Sequence, residues 1–279
     1  MKASVIIPVY NEERVIRECL ISLSAQTFKD FEIIVVDDGS TDKTYQEVSE
    51  VRRDYFGKNF VILKQDHKGP AAARNLGASK ASGQILVFVD ADMTFDRLFL
   101  EELVAPIIKG KSKGTFSHEE YVENWDKPWA RFWSYNRGQF NKKLVKKKRK
   151  QKVFRAILKS EFDKVGGFDT GGYTDDYTLY EKLGYKAKAV SGARFYHKNP
   201  EGFKEVLAQA KWSAKREYKF GTLGVMYAFF RASFPVSVGL AFAVAIRKRV
   251  PKYILFKAVY DTAAMIGIFE YYFLGKGEK

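Results

Sequence analysis

Four short apolar runs, each closed by polar or turn-forming residues, set the rhythm of the first ninety positions: Ala3–Val9 (ASVIIPV), Phe31–Val36 (FEIIVV), Phe60–Lys64 (FVILK) and Ile85–Val89 (ILVFV). Their β-branched content and lack of polar alternation predict strands buried on both faces. Helical spacing fills the gaps. Val15, Ile16, Cys19, Leu20 and Leu23 recur on one helix face, with Asn11 as the expected N-cap and Glu12 and Glu13 at the positive end of the helix dipole. Ser40 or Thr41 is expected to cap a second helix running towards Asp54. Pro70 suits a first helical turn and opens a third helix over Ala71–Ala81. This βαβαβαβ order predicts an α/β protein with a mainly parallel sheet between helices. Ligands of such sheets bind outside the carboxyl ends of the strands.

The second half is less regular. Trp125–Phe140 is aromatic and reads as a helix, its tryptophans spaced for packing, with an acceptor groove or an interfacial belt as the functional alternatives. Lys142–Lys152 carries eight basic residues in eleven and reads as a loop. Val153–Leu158 reads as a strand, Tyr177–Leu183 as a helix, Ala187–Phe195 as a β segment and Glu201–Phe220 as a basic amphipathic helix. Two apolar stretches close the chain: Thr222–Ile246, interrupted by Arg231 and Pro235, and Tyr253–Leu274, containing Lys257, Asp261 and Glu270. Each is long enough to cross about 30 Å of hydrocarbon, but central charges oppose insertion. Lys257 and Asp261, four apart, are placed to neutralise each other. The connector Arg247–Lys252 (RKRVPK) would violate the positive-inside rule if the hairpin spanned, whereas an interfacial or re-entrant hairpin keeps it on an anionic surface. A helical subdomain or the interface of a homo-oligomer is the other reading.

Composition narrows the class. Over 279 residues, 46% hydrophobic and 29% charged residues exclude whole-chain disorder. One cysteine and three histidines exclude a disulfide framework and a Cys/His zinc cluster. The apolar run before Pro8 is too short for a signal peptide, so a cytoplasmic start and a reduced thiol are expected. The net charge of +15 is uneven: residues 1–110 hold 14 Lys+Arg against 17 Asp+Glu (net −3), leaving 34 against 16 (net +18) for the remainder. Such a half attracts a polyanion, whether nucleic acid, anionic membrane or phosphorylated substrate. No helix-turn-helix, RNA-recognition or zinc signature accompanies it, so nucleic acid is not expected as a partner. Dinucleotide and P-loop glycine motifs are absent too.

The candidate chemistry sits at strand ends. Asp37-Asp38-Gly39 follows the second strand and Asp90-Ala91-Asp92 the fourth, which puts both pairs at one sheet edge. Hard carboxylate oxygens suit Mg²⁺ or Mn²⁺, ions that take few protein ligands and share phosphates. Either acidic segment alone is commonplace; their coincidence is not.

Five ordered segments carry a resemblance: VIIPVYNEE (5–13), VVDDGSTD (35–42), GPAAARNLG (69–77), FVDAD (88–92), and GGFD (166–169) followed by TDD (174–176) and LGYK (183–186). Together they resemble the family 2 glycosyltransferases of GT-A fold, over about residues 3–197. The resemblance implies inverting transfer of a hexose from a nucleotide-diphosphate sugar, either GDP-mannose or a UDP-sugar. It places Pro8, Tyr10 and Glu12 beside the nucleotide, Asp38 on the base and Arg74 near ribose or phosphates. Asp90 would meet ribose or metal-bound water, Asp92 would ligate Mg²⁺ or Mn²⁺, and His197 would complete the metal site or touch the diphosphate. Asp176 would be the general base. Asp175 stands where the family commonly has glutamate, so its acceptor-orienting reach is shorter. Lys146, Lys147, Lys148 and Arg149 would face a lipid-linked diphosphate or anionic headgroups.

The implied organisation is a catalytic domain over 1–200, with a donor half (1–110) and an acceptor half (111–200). A basic amphipathic helix (201–221) and a membrane-associated helical hairpin (222–279) follow. A glycolipid or lipid-linked saccharide hydroxyl is the expected acceptor, at the cytoplasmic side of a cell membrane. Two alternatives stand beside it: transfer to a polyprenyl phosphate, which needs no general base, and a basic nucleic-acid-binding protein.

Overall fold

The computed structural model describes residues 1–141, 150–170, 175–215, 218 and 220–275, without the side chains of 150, 175, 176 and 234. The chain forms two compact units, Met1–Tyr121 with Lys143–His197, and Val122–Lys142 with Lys198–Lys279.

The first unit opens with β1 (Ala3–Val9), α1 (Ile16–Ser24), β2 (Phe31–Asp37), α2 (Thr44–Val51), β3 (Phe60–Lys64), α3 (Pro70–Lys80) and β4 (Ile85–Phe88). The four strands pair in parallel in the order β3-β2-β1-β4, with Val5 opposite both Ile33 and Val87. Their carboxyl ends therefore line one edge. β5 (Met93–Phe95), α4 (Phe99–Ile108) and β6 (Gly114–Val122) come next. After α5 (Pro128–Asn136) of the other unit come β7 (Lys150–Gln151), β8 (Ala156–Leu158), α6 (Lys159–Lys164), α7 (Asp175–Leu183) and β9 (Ala187–His197). β8, β6, β9 and β5 extend the sheet beyond β4, largely through antiparallel pairing. The sheet is thus parallel only in the half whose strands are continuous apolar runs, and mixed overall.

Period-two alternation places the core. Val5, Ile7 and Val9 of β1 pack on one face with Ile16, Leu20 and Leu23 of α1 and Leu100 and Leu103 of α4. Ile6 points the other way, packing with Ile34, Val36, Phe88 and the alanines of α3. A Cβ on Gly77 would stand 2.5 Å from Ile6 Cγ2, so glycine is what lets α3 lie this close to β1.

Two expected caps are corrected. Asn11 has φ 57 and lies well before α1, because its side chain is committed to the loop after β2. At α2, the Asp42 carboxylate rather than Ser40 or Thr41 accepts from a first-turn N–H, that of Thr44, at 2.9 Å.

The second unit is helical: α5, α8 (Phe203–Ala214), α9 (Thr222–Ala232), α10 (Phe234–Lys248) and α11 (Tyr253–Phe273). Segment 122–142 groups here rather than with 143–197, because Phe132 and Trp133 pack with Val206, Tyr253 and Phe256. Trp129 meets Phe256 at 5.6 Å and Trp133 meets Tyr260 at 5.3 Å, so the tryptophan spacing serves packing. The 25-residue apolar stretch is not one helix. It breaks at Ser233, in extended conformation ahead of Pro235, and the two parts meet at 59°. Lys257 and Asp261 form the ion pair their spacing predicts, both buried, and Glu270 pairs with Lys211 and Lys215 at 2.6 and 2.9 Å. Among the described residues no single helix is long and apolar enough to cross a membrane; only the bent α9–α10 pair reaches that length and composition together.

Candidate active site

The site grows from the carboxyl edge of β1, β2 and β4. Two loops there are latched to each other. The Asn11 amide donates to Ser40 Oγ at 3.0 Å and its Oδ1 accepts from the Thr41 amide at 2.9 Å. The Glu12 amide donates to Thr44 Oγ1 at 2.7 Å, the Glu13 amide to Asp42 at 3.2 Å and the Lys43 amide to Glu13 at 3.0 Å. Loop donors that a helix or sheet would have used are satisfied reciprocally. Pro8, opposite Val36, is the last residue but one of β1, the strand that carries this loop.

Asp37 and Asp38 do different work. Asp37 accepts from the Ser40 amide at 2.9 Å and shapes the turn, where Gly39 takes φ 83. Asp38, buried, gathers the segment after β3: its carboxylate accepts from Gln65 Nε2 (2.6 Å) and from the amides of Lys68 (2.9 Å) and Gly69 (2.8 Å). His67 Nδ1 lies 2.9 Å from the same carboxylate, and the His67 ring stacks on Tyr10 at 4.0 Å. Asp38 thus holds up the wall against which Tyr10 packs. Tyr10 stays 41% exposed, a flat apolar surface open at the strand edge.

Asp90 and Asp92 are equally distinct. Arg74 Nη2 lies 2.8 Å from Asp90 Oδ1, and Arg155 Nη1 lies 3.3 Å from Oδ2. Burial alone would raise the Asp90 pKa; Arg74, then Arg155, outweigh it and hold the carboxyl below its ordinary value. Both oxygens are engaged by arginines, so Asp92 is the carboxylate of this turn that could take a cation directly. The surface of Asp92 opens outward, yet the protein around its carboxylate, and after that Asp90, push its pKa up to about 6. Glu12, withdrawn from water and facing Asp92 and Asp90, is pushed up to about 7. These two acids crowd one another and Asp90 at the sheet edge. Among the described residues no three His, Cys, Asp or Glu side chains form a ready cage. A hard divalent ion would accordingly be held by Asp92 and share its coordination with substrate phosphates, the usual habit of Mg²⁺. His197 ends β9 directly opposite Met93, one residue from Asp92, with Nδ1 3.3 Å from Glu120 Oε1.

Asn75 ties this edge to the acidic helix segment. Its side chain donates to Phe168 O at 2.8 Å and accepts from the Phe168 amide at 2.9 Å. The Asp169 amide then donates to Thr178 Oγ1 of α7 at 3.2 Å, and Lys182 pairs with Asp169 at 2.5 Å. Asp175 and Asp176 are the first residues of α7, with their side chains outside the described residues, as are Lys146, Lys147, Lys148 and Arg149. A hollow of about 450 Å³ beside α2, lined by Tyr45, Ser49, Arg52 and Ile62 among others, shares none of the site residues.

Sequence reasoning singled out neither Arg155, Asn75 nor His67. For Arg155 the available signal was an arginine inside the apolar run Val153–Leu158, since a cation in a buried strand needs a carboxylate. Asn75 and His67 carried no such signal.

A sheet of this order, with acidic loops at the carboxyl edge of its parallel half, is the GT-A fold of nucleotide-sugar transferases. Residues 4–168 match the family model for glycosyl transferase family 2, and the chain belongs to that family. It is 38% identical over 108 residues to the glycosyltransferase GlyA of Streptococcus pneumoniae, which is 39% of this chain and 15% of that protein. It is 40% identical over 107 residues to the poly(ribitol-phosphate) β-N-acetylglucosaminyltransferase TarS of Staphylococcus aureus, 38% of this chain and 18% of TarS. The match therefore spans less than a fifth of either relative's length. In fold, it is similar to the mannosyltransferase PcManGT from Pyrobaculum calidifontis in complex with GDP-Man and Mn²⁺ (TM-score 0.62, 20% identity, 99% of this chain and 88% of that one). The S. aureus TarS 1–349 complex with UDP-GlcNAc is similar as well (TM-score 0.55, 19% identity, 97% and 91%).

Proposed function

We propose that the first unit transfers a hexose, with inversion at the anomeric carbon, from a nucleotide-diphosphate sugar to a hydroxyl of a glycolipid or lipid-linked saccharide. The observation that carries this reading is the division of labour in the Asp90-Ala91-Asp92 turn, where one carboxylate is locked by Arg74 and Arg155 and the other is left crowded and outward-facing. A donor diphosphate brings negative charge to an edge that already holds Glu12 and Asp92, so a divalent cation is needed to bring them together. Mg²⁺ or Mn²⁺ held by Asp92 would offset the charge of the departing nucleotide diphosphate. The solved neighbours with UDP-GlcNAc and with GDP-Man and Mn²⁺ support both donor classes.

The other roles are those that the family resemblance implies. Tyr10 offers its ring to the base, and Asp38 keeps the surrounding wall in position or turns a carboxylate oxygen to the base. Arg74 is near enough to the Asp90 turn to reach ribose or phosphate. Asp176 takes the proton of the acceptor hydroxyl while the acceptor oxygen bonds the anomeric carbon and the bond to the diphosphate breaks on the opposite face. His197, beside the turn, faces the same diphosphate.

The test is a thermal-shift panel of UDP- and GDP-sugars, with and without Mn²⁺, on the wild type and Asp92→Ala. A donor that raises the melting temperature only with metal, and not in the variant, is the expected result. No shift with any donor at saturating concentration overturns the reading.

A further inference from the structure

α9 is apolar nearly all round, Arg231 being its one charged residue, and such a helix is ordinarily buried on every side. Here only one face is. Val225 and Ala232 are buried, and Val225, Ala228 and Phe229 pack with Ile268 and Ala264 of α11. Leu223, Met226, Tyr227 and Phe230, spaced i, i+3, i+4 and i+7, are 72, 64, 62 and 63% exposed. Arg231 borders that stripe, itself exposed. On α10, Phe242 and Ile246 are exposed one turn apart, and Arg247 follows.

The unanswered charge of this stretch has one sign. Between residues 220 and 275 the acidic residues are Asp261 and Glu270, and both are paired within the unit, to Lys257 and to Lys211 and Lys215. Arg231, Arg247, Lys248, Arg249 and Lys252 have no acidic residue of this stretch left to answer them. A second copy of the chain would bring like basic borders together across a twofold interface, which opposes self-association. An anionic bilayer answers both features, with apolar rings for the acyl boundary and headgroup charge for the arginines. Nor is the helix built to cross. Eleven residues reach only about 16 Å, and the 59° bend at Ser233 turns the chain away from a continuous span.

We infer that the outer face of α9 lies in the interface of an anionic phospholipid bilayer, inserted to the depth of its side chains and parallel to the surface. This stands on the second unit alone and goes beyond the donor chemistry, so the donor thermal shift reads the two independently.

The experiment is flotation of the full chain with vesicles of phosphatidylcholine, or of phosphatidylcholine and phosphatidylglycerol at 7:3, at low and high salt. Wild type is expected to float with the anionic vesicles and about tenfold less with the zwitterionic ones or at high salt. Leu223→Glu/Phe230→Glu, at exposed positions, and Arg231→Gln/Arg247→Gln/Arg249→Gln are each expected to lose about tenfold in binding, with the thermal melt unchanged. Wild type that stays at the bottom, or variants that float as well as wild type, overturns the inference. So does a dimer seen by light scattering without vesicles that the Glu variant dissociates, which would assign the face to a second copy.

Discussion

Arg155 and Asp90 stand 65 positions apart in sequence, and Nη1 of the one lies 3.3 Å from Oδ2 of the other. The same Nη1 lies 3.2 Å from Phe88 O. One guanidinium therefore ties the last residue of β4 to the carboxylate just beyond it. Arg155→Met is expected to weaken donor binding about tenfold and to cost about 1–3 kcal/mol, since Asp90 keeps Arg74 but loses the second of its two arginines. Arg155→Lys should recover only part of both, because an ammonium cannot reproduce the planar fork. Donor titration and urea denaturation of the two variants measure this.

Asp176→Asn separates the acceptor classes. With a hydroxyl acceptor, kcat is expected to fall by about 10²–10⁴ while donor affinity stays put. A variant that keeps its turnover would point to an acceptor that is already anionic, such as a polyprenyl phosphate. Single-turnover kinetics with saturating donor decide it.

Glu12 predicts a pH signature. Its pKa is raised from an ordinary 4.5 to about 7, so between those values the folded protein keeps a proton that the unfolded chain has released. Stability then falls as pH rises through that window, and the cost is complete above it. Glu12→Gln should therefore raise the melting temperature at pH 8, by the equivalent of about 1 kcal/mol after allowance for solvent screening, and lose the gain towards pH 4.5. Melts of both proteins across pH 4.5–8 show the sign.

Gly77→Ala is expected to destabilise by about 1–3 kcal/mol, through the overpacking of a methyl group against Ile6. Denaturant unfolding should show the shift with the m-value unchanged, whereas Gly110→Ala, where nothing stands within 4 Å but φ is 65, pays only for its backbone.

Lys257 and Asp261 are both 6% exposed. Asp261→Leu alone should cost about 3–5 kcal/mol by stranding a buried ammonium, and Lys257→Met alone a similar amount by stranding the carboxylate, while Lys257→Met/Asp261→Leu should come close to neutral. Chemical denaturation of the single and double variants closes the cycle.

Strand-level order was readable because the apolar runs of the parallel half are continuous: Ala3–Val9 and Phe60–Lys64 coincide with β1 and β3 residue for residue. β5 and β6 left no such trace. Met93–Phe95 is three residues long, and Gly114–Val122 mixes Ser117, His118 and two glutamates into its pattern. Asn11 is no helix cap because a residue type that caps helices also stabilises left-handed loop positions, and only its partner across the edge, Thr41, distinguishes the two. The acidic residues of the site were legible from their place at strand ends. Their differing roles were not, because what sets Asp90 apart from Asp92 is its pairing with Arg74 and with Arg155, the latter just ahead of β8, a strand far off in sequence that pairs with β4.

The latch between the loop after β1 and the loop after β2 has a consequence for redesign. Asn11, Glu12 and Glu13 on one side and Ser40, Thr41, Asp42, Lys43 and Thr44 on the other supply each other's hydrogen bonds. Neither loop is a portable cassette. Grafting one alone from a relative would strand amides on the loop left behind, so the two loops are exchanged as a matched pair or not at all.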